Sequence, residues 1–272
     1  MAGFAAPGYY KYRLSVFCPW TREIETVEAT DPYSRCTAAN GERTLILDLD
    51  DPQLAPPGWR DHFMPAIGAW TDVSVYELHI RDFSATDASV PEALRGKYRA
   101  FCPARTRPGG AGDAAEGAAT ASEDWEPVPG RLTAGQAHLA ALRGAGLSHL
   151  HLLPSYDYGS VPERAEEQLA VKEDLSRYPP DGEEQQAAVA AVADQDAFNW
   201  GYDPVHYGVP EGSYSSQPDG PQRVLEYREM VQSLHALGLR VVADVVYNHT
   251  FASGPHNTHS VLDKVVPGYY HR

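Results

Sequence analysis

Two short stretches concentrate side chains that can do chemistry: Asn-Trp-Gly-Tyr-Asp at 199–203 and Asp-Val-Val-Tyr-Asn-His at 244–249. Together they carry Trp200, Tyr202, Asp203, Asp244, Asn248 and His249. A sugar ring presents a face of C–H groups and a rim of hydroxyls, so it needs an aromatic plate and hydrogen-bonding partners. Trp200, Tyr202, Asp203 and His249 supply that mixture. A plainer reading also fits, with Trp200 and Tyr202 as packing aromatics of a loop turned by Gly201. Asp244 follows an apolar run, where a lone carboxylate would cost several kcal/mol or take up a proton, so an arginine or hydroxyl neighbour is expected.

The elements that would position these groups are legible in outline. LRVVADVV (239–246) is short, apolar and without helical spacing, the pattern of a strand buried on both faces in a parallel sheet. Sheets of that kind place ligand sites at the carboxyl ends of their strands. VSVYELHI (73–80) and LSHLHLLP (147–154) read as two more strands. The first closes in Glu77, His79, Arg81 and Asp82, which could line a site rim or brace it from below. Helices are predicted over 133–144, stopped by Gly144 and Gly146, and over 219–237, where Val224, Tyr227, Val231 and Leu234 share one face and Gly238 ends the run. Strand, helix, strand, helix, strand is the order of consecutive βαβ units.

Upstream, residues 9–17 and 43–49 alternate as antiparallel strands, the second after an Asn40-Gly41 turn. Residues 51–70, rich in Pro, Trp and Gly, read as a linker, and 102–130 as a flexible Gly/Ala/Pro-rich insertion. Residues 155–198 form an acidic insertion with a helix over 183–196, read as a solvated face, and FNWGYDPVHYGVP reads as a loop.

The 272 residues are 43% hydrophobic, enough for a sizeable core, and carry a formal net charge of −15, which disfavours nucleic acid and anionic membrane surfaces as partners. Cys18, Cys36 and Cys102 are too few and too scattered for a disulfide framework or a zinc site. The N-terminus shows neither a secretory signal nor a transit segment, and no run approaches the roughly 18 apolar residues of a membrane span.

Four segments in order, YELHIRDFS, HLHLLPS, FNWGYDPVHYGVPEGSYS and LRVVADVVYNH, resemble the pullulanases and limit dextrinases, the debranching members of the α-amylase superfamily of glycoside hydrolases. NWGYDP is the specific part of the likeness, and DVVYNH is common to the superfamily. The resemblance implies an α/β fold: about the first three strands of an incomplete (β/α)8 TIM barrel at 73–272, after the last strands of a β-sandwich carbohydrate-binding module at 1–55 and a linker at 56–72. It implies hydrolysis of α-1,6 bonds, with retention, in branched α-glucans such as limit dextrin, pullulan and amylopectin. Tyr202 matches the tyrosine that stacks on the sugar beside the scissile bond, and His249 matches the histidine that bonds a hydroxyl of that sugar. Asp244 matches an aspartate that orders its neighbours. Asn248 matches a calcium ligand of some amylases, one ligand being too few to predict a metal, and no other cofactor is expected.

In that superfamily the nucleophile and acid/base follow later barrel strands, and segments resembling theirs are absent here. The expectation is a chain truncated at both ends relative to the family and inactive alone, with Asp203 and Asp244 in positioning roles. The alternatives are a non-catalytic glucan-binding protein and a piece of a branching enzyme or isoamylase. Three parallel strands would also leave open sheet edges and exposed apolar surface. Resemblance to plant and algal enzymes makes a plastid the plausible compartment.

Overall fold

A computed structural model describes residues 8–103, 105–106, 126–127 and 130–271. Near the N-terminus, β1 (Tyr9–Tyr10) precedes a hairpin of β2 (Tyr12–Cys18) and β3 (Glu23–Ala29), in register from Tyr12 opposite Ala29 to Cys18 opposite Glu23. The 9–17 stretch therefore pairs mainly with 23–29. Only Tyr9 and Tyr10 reach β4 (Thr44–Leu45). The Asn40-Gly41 turn forms, both residues having left-handed φ angles of 57° and 64°, and it returns the chain from Thr37 to Thr44.

Residues 49–65, which overlap the 51–70 stretch read as a linker, are turns laid along a later helix and tied to it by side chains. Their prolines and glycine set the turns, and the helix supplies donors for the carbonyls those turns leave free.

The centre is a three-stranded parallel sheet in the order β11 (Arg240–Ala243), β8 (His149–Leu152), β5 (Val75–Leu78). Val75, His149 and Arg240 stand in register, as do Leu78, Leu152 and Ala243. β6 (Arg105–Thr106) and β7 (Glu126–Pro127) pair antiparallel, and most of the 102–130 insertion lies outside the described residues. α1 (Ala134–Gly144) starts at a capping box between Thr133 and Gln136. α3 (Gln222–Ala236) ends before Gly238, whose φ of 84° breaks the helix.

One face of the sheet is covered. Leu150, Leu152, Leu139, Met230, Leu234 and Leu239 are fully buried in a single core, with Tyr227 and Val231 packed against it. The other face is open, with Val75 54% and Val242 38% exposed and the Glu77 side chain 60% exposed. This corrects the expectation that the 239–246 strand is buried on both faces: β11 has one strand neighbour and only its α3 side covered. The described residues thus form an α/β structure of small sheets without a closed barrel.

Two elements interrupt the βαβ order. β9 (Tyr156–Tyr158) pairs antiparallel with β10 (Pro204–Pro210), so part of the stretch read as a loop is a strand, twice bulged. α2 (Glu184–Ala190) is shorter than the predicted 183–196 helix and buries no residue. A last short helix, α4 (Leu262–Val265), packs on β2 and β3. The three cysteines are buried and free, and no helix among the described residues is long and apolar enough to cross a membrane.

Candidate functional site

The loop at 199–203 is built before it is filled. Gly201 has φ 86°, and a Cβ there would stand 3.0 Å from the Tyr158 ring, so no larger residue fits without displacing something. Asn199 Oδ1 accepts from the Gly201 amide at 2.9 Å, and its backbone carbonyl accepts from His79 Nε2 at 2.8 Å. His79 is buried. Its Nδ1 accepts from the Asp82 amide at 3.3 Å, which fixes the proton on Nε2, and the Tyr214 hydroxyl lies 3.1 Å from that nitrogen. His79 therefore braces the loop from below, while Glu77 stands at the rim and Arg81 pairs with Asp82 on the surface at 3.1 Å.

This brace sets Tyr202 at the carboxyl end of the sheet. Its hydroxyl donates to Asp244 Oδ2 at 2.5 Å, so Asp244 has the hydroxyl neighbour its position called for. That hydrogen bond, and then burial, push the Tyr202 phenol up to about 12. The same Asp244 oxygen lies 3.6 Å from His151 Nε2, and His151 Nδ1 lies 3.5 Å from Glu77 Oε2. Glu77, His151, Asp244 and Tyr202 thus form one row. His151 is the member that sequence reading missed, although its alternation in HLHLLP places it on the same face as the strand ends.

His249 joins the row from the other side, its Nε2 donating to the Tyr202 carbonyl at 2.5 Å. Its own carbonyl accepts from the Tyr207 hydroxyl at 3.0 Å, and the Tyr207 and Tyr247 rings are 5.2 Å apart. Tyr202, Asp244 and His249, 47 residues apart at most, are therefore in contact. With Nε2 engaged, the edge of His249 left for a ligand is Nδ1. Trp200 is 61% exposed and free to meet a ligand, and Asn248 is exposed on the turn beside His249. Asp203 differs: it is half-buried, its Oδ1 lacks a hydrogen-bond partner, and burial raises its carboxyl above the usual range against the opposing pull of Ser160 and His249.

Beneath the site lies a charged network that no local pattern announces. Arg223, fully buried on α3, pairs with Glu163 at 2.7 and 3.0 Å. Glu163 also accepts from the amides of Asn40 at 2.7 Å and Gly212 at 3.0 Å. Asp157 bonds His206 at 2.5 Å, and His206 bonds Thr30 at 2.6 Å. Glu211 accepts from the Tyr158 and Ser213 amides at 3.1 and 2.8 Å, with no cation among the described residues bonded to it. Asp157, Glu163 and Glu211 come close enough to share an ion, but Arg223, His206 and four amides already occupy their oxygens. The network ties the N-terminal strands, β9, β10 and α3 into the frame that carries the Tyr202 loop.

No family model matches the chain. Pullulanase 1, chloroplastic, of Arabidopsis thaliana is 44% identical over 267 residues, covering 97% of this chain and 25% of that protein. The pullulanase of Klebsiella pneumoniae is 34% identical over 306 residues, again 97% and 25%. Among solved structures, PulA from Klebsiella oxytoca matches 97% of this chain and 26% of its own at a TM-score of 0.79 and 35% identity. A maltotriose complex of PulA from Klebsiella pneumoniae matches at 0.79 and 35%, covering 97% of this chain and 30% of its own. Over 97% of its residues the chain is similar to pullulanases, and it spans about a quarter of the length of the curated relatives it matches.

Proposed function

We propose that the chain supplies one wall of the glucan site of a debranching hydrolase, acting on α-1,6 bonds in branched α-glucans such as limit dextrin, pullulan and amylopectin. On this reading residues 73–272 are the opening strands and helices of a (β/α)8 barrel, residues 1–55 are the last strands of a β-sandwich module, and 56–72 lie between them. Tyr202 and Trp200 are the stacking plates. Asp203 and His249 meet sugar hydroxyls, and Asp244 and Asn248 support them.

The observation that carries the reading is the meeting of Tyr202 with both Asp244 and His249 at the carboxyl end of the sheet, at 2.5 Å each. An aromatic plate is held there beside an imidazole, on the side of a parallel sheet where ligands bind. Contacts of that kind can strengthen as positive charge develops on the sugar in the transition state. Cleavage with retention needs two carboxyl groups about 5 to 5.5 Å apart across the bond. Asp244, bonded to Tyr202, and Asp203, half-buried beside Ser160, are assigned positioning roles instead, so this chain by itself binds glucan without cutting it.

Titration calorimetry of the chain with maltotriose tests this. Binding is expected, weakened about tenfold or more by Tyr202→Ala, a loss of about 1.4 kcal/mol or more, and no reducing ends should be released from pullulan. A folded chain that ignores maltotriose, or a Tyr202→Ala variant that binds unchanged, would refute the assignment. Release of reducing ends would refute the positioning roles of the two aspartates.

A further inference from the structure

Residues 49–65 form a strap along one face of α3, and side chains at helical spacing hold it. Arg228 donates to the carbonyls of Leu49 and Leu54, each at 3.0 Å, and Gln232 donates to Pro57 at 2.9 Å. Arg240, just past the helix, donates to Pro65 at 2.7 Å. Between these last two fasteners His235 meets His62, Nδ1 to Nε2, at 3.1 Å. Guanidinium and amide groups keep their charge state across mild pH, so the imidazole pair is the one fastener a proton can change.

We propose that the His62–His235 pair is a proton-operated latch, holding the strap around Trp59–Met64 against α3 while at most one imidazole is protonated and releasing it when both are. The tautomers follow from the contacts. His62 Nδ1 donates to the Trp59 carbonyl at 2.6 Å, so neutral His62 offers its Nε2 lone pair, and His235 Nδ1–H fills it. A first proton on His235 Nε2 leaves that bond in place and makes it charge-assisted. A second must go to His62 Nε2, which removes the acceptor and sets two cations side by side.

The surrounding groups sharpen the switch. Arg240 faces the pair from β11, and Arg228 of α3 lies 5.4 Å from the Trp59 ring, which itself packs 4.6 Å from His62. Arg60 and Asp61 precede His62 in the chain, and toward α1 the adjoining cavity of about 490 Å³ offers the uncharged Gln136 and Leu132. Burial, then His62 and Arg240, already hold His235 below the ordinary histidine range. Little apolar burial resists release, since Phe63 and Met64 are 87% and 54% exposed.

Hydrogen exchange of the full chain, read by mass spectrometry at about pH 7 and about pH 4.5 and corrected for the chemical exchange rate, tests the latch. Protection of residues 58–64 should fall about tenfold at the lower pH relative to residues 222–236. The variants His62→Gln and His235→Gln should each lack that pH step. The proposal is overturned if the wild-type chain shows no step, if both variants keep it, or if the loss spreads equally into 222–236.

Discussion

Glu211 gives the network beneath the site a measurable pH signature. Its two oxygens accept from the amides of Tyr158 and Ser213, no cation among the described residues is bonded to it, and Glu163 and Asp157 stand close by. Burial, then those two carboxylates, raise its carboxyl well above the usual range, so the folded chain keeps a proton there that the unfolded chain gives up near its ordinary value of about 4.3. The sign follows from proton counting: below about pH 4.3 both states hold the proton, and above it only the folded state does, so stability declines as pH rises until the folded carboxyl itself ionises. Each unit in that window costs about 1.4 kcal/mol per carboxyl so held, and Glu163, raised to about 7 by burial, adds to the same decline, so the Glu211 share is read from the difference between wild type and variant. Asp157 is shifted the opposite way, lowered by its hydrogen bond to His206 against burial, and its contribution is lost only as pH falls through its folded value, outside this window. Urea titrations at about pH 5, 6 and 7, followed by tryptophan fluorescence, measure the slope. Glu211→Gln should lose about 1 to 3 kcal/mol at the lowest pH, because its amide nitrogen faces a backbone N–H, and should flatten the decline. A variant with the wild-type slope, or a wild-type chain growing more stable from pH 5 to 7, would refute the assignment of that proton to Glu211.

Two further substitutions probe the frame and the loop. Arg223→Met should cost about 3 to 5 kcal/mol by leaving Glu163 buried without its cation, read as a lower urea midpoint at pH 7; an unchanged midpoint would mean that the ion pair is not what holds α3 to the N-terminal strands. Gly201→Ala should cost about 1 to 3 kcal/mol through its positive φ and the approach of the new Cβ to Tyr158, and should weaken maltotriose binding with it; retained affinity at reduced stability would separate the loop from the ligand.

What the sequence makes legible is what local periodicity encodes. The α3 stripe of Val224, Tyr227, Val231 and Leu234 meets buried neighbours as its spacing requires, and the Gly238 stop lies where its chemistry is needed. β3 is obscured because Glu23 and Glu25 share a face with buried Val27 and Ala29 while apolar Ile24 stands exposed on the other, so EIETVEA shows no clean alternation. β10 is obscured by Pro204, Gly208 and Pro210, residues that ordinarily mark loops and here accompany its bulges. The Arg223 network is invisible for another reason. Glu163, Glu211 and Asn40 are far apart in the chain, and each alone looks like an ordinary surface residue. The apolar run before Asp244 records a tendency to be buried without naming the neighbour, so the open side of β11 could not be read from it.

The order of side chains at the site is itself a consequence of strand register. Glu77, His151 and Val242 stand side by side on β5, β8 and β11, and alternation puts Asp244, two residues beyond Val242, on the same face. Parallel pairing therefore brings the two nitrogens of His151 between Glu77 and Asp244, at 3.5 and 3.6 Å, and leaves the far side of Asp244 to the Tyr202 hydroxyl. A slip of one residue in β8 would turn His151 into the core beside α1 and expose Leu150 or Leu152, both fully buried now. The hydrophobic pattern that packs the covered face thus also fixes the polar row on the open one. Tyr202 is then held by three further contacts from separate elements: His79 beneath Asn199, the close fit of Gly201 on Tyr158, and His249 on its carbonyl. On the function proposed above, a ring fixed in this way would cost Tyr202 little entropy on meeting a sugar, whereas exposed Trp200 would still have to be ordered by what it stacked on.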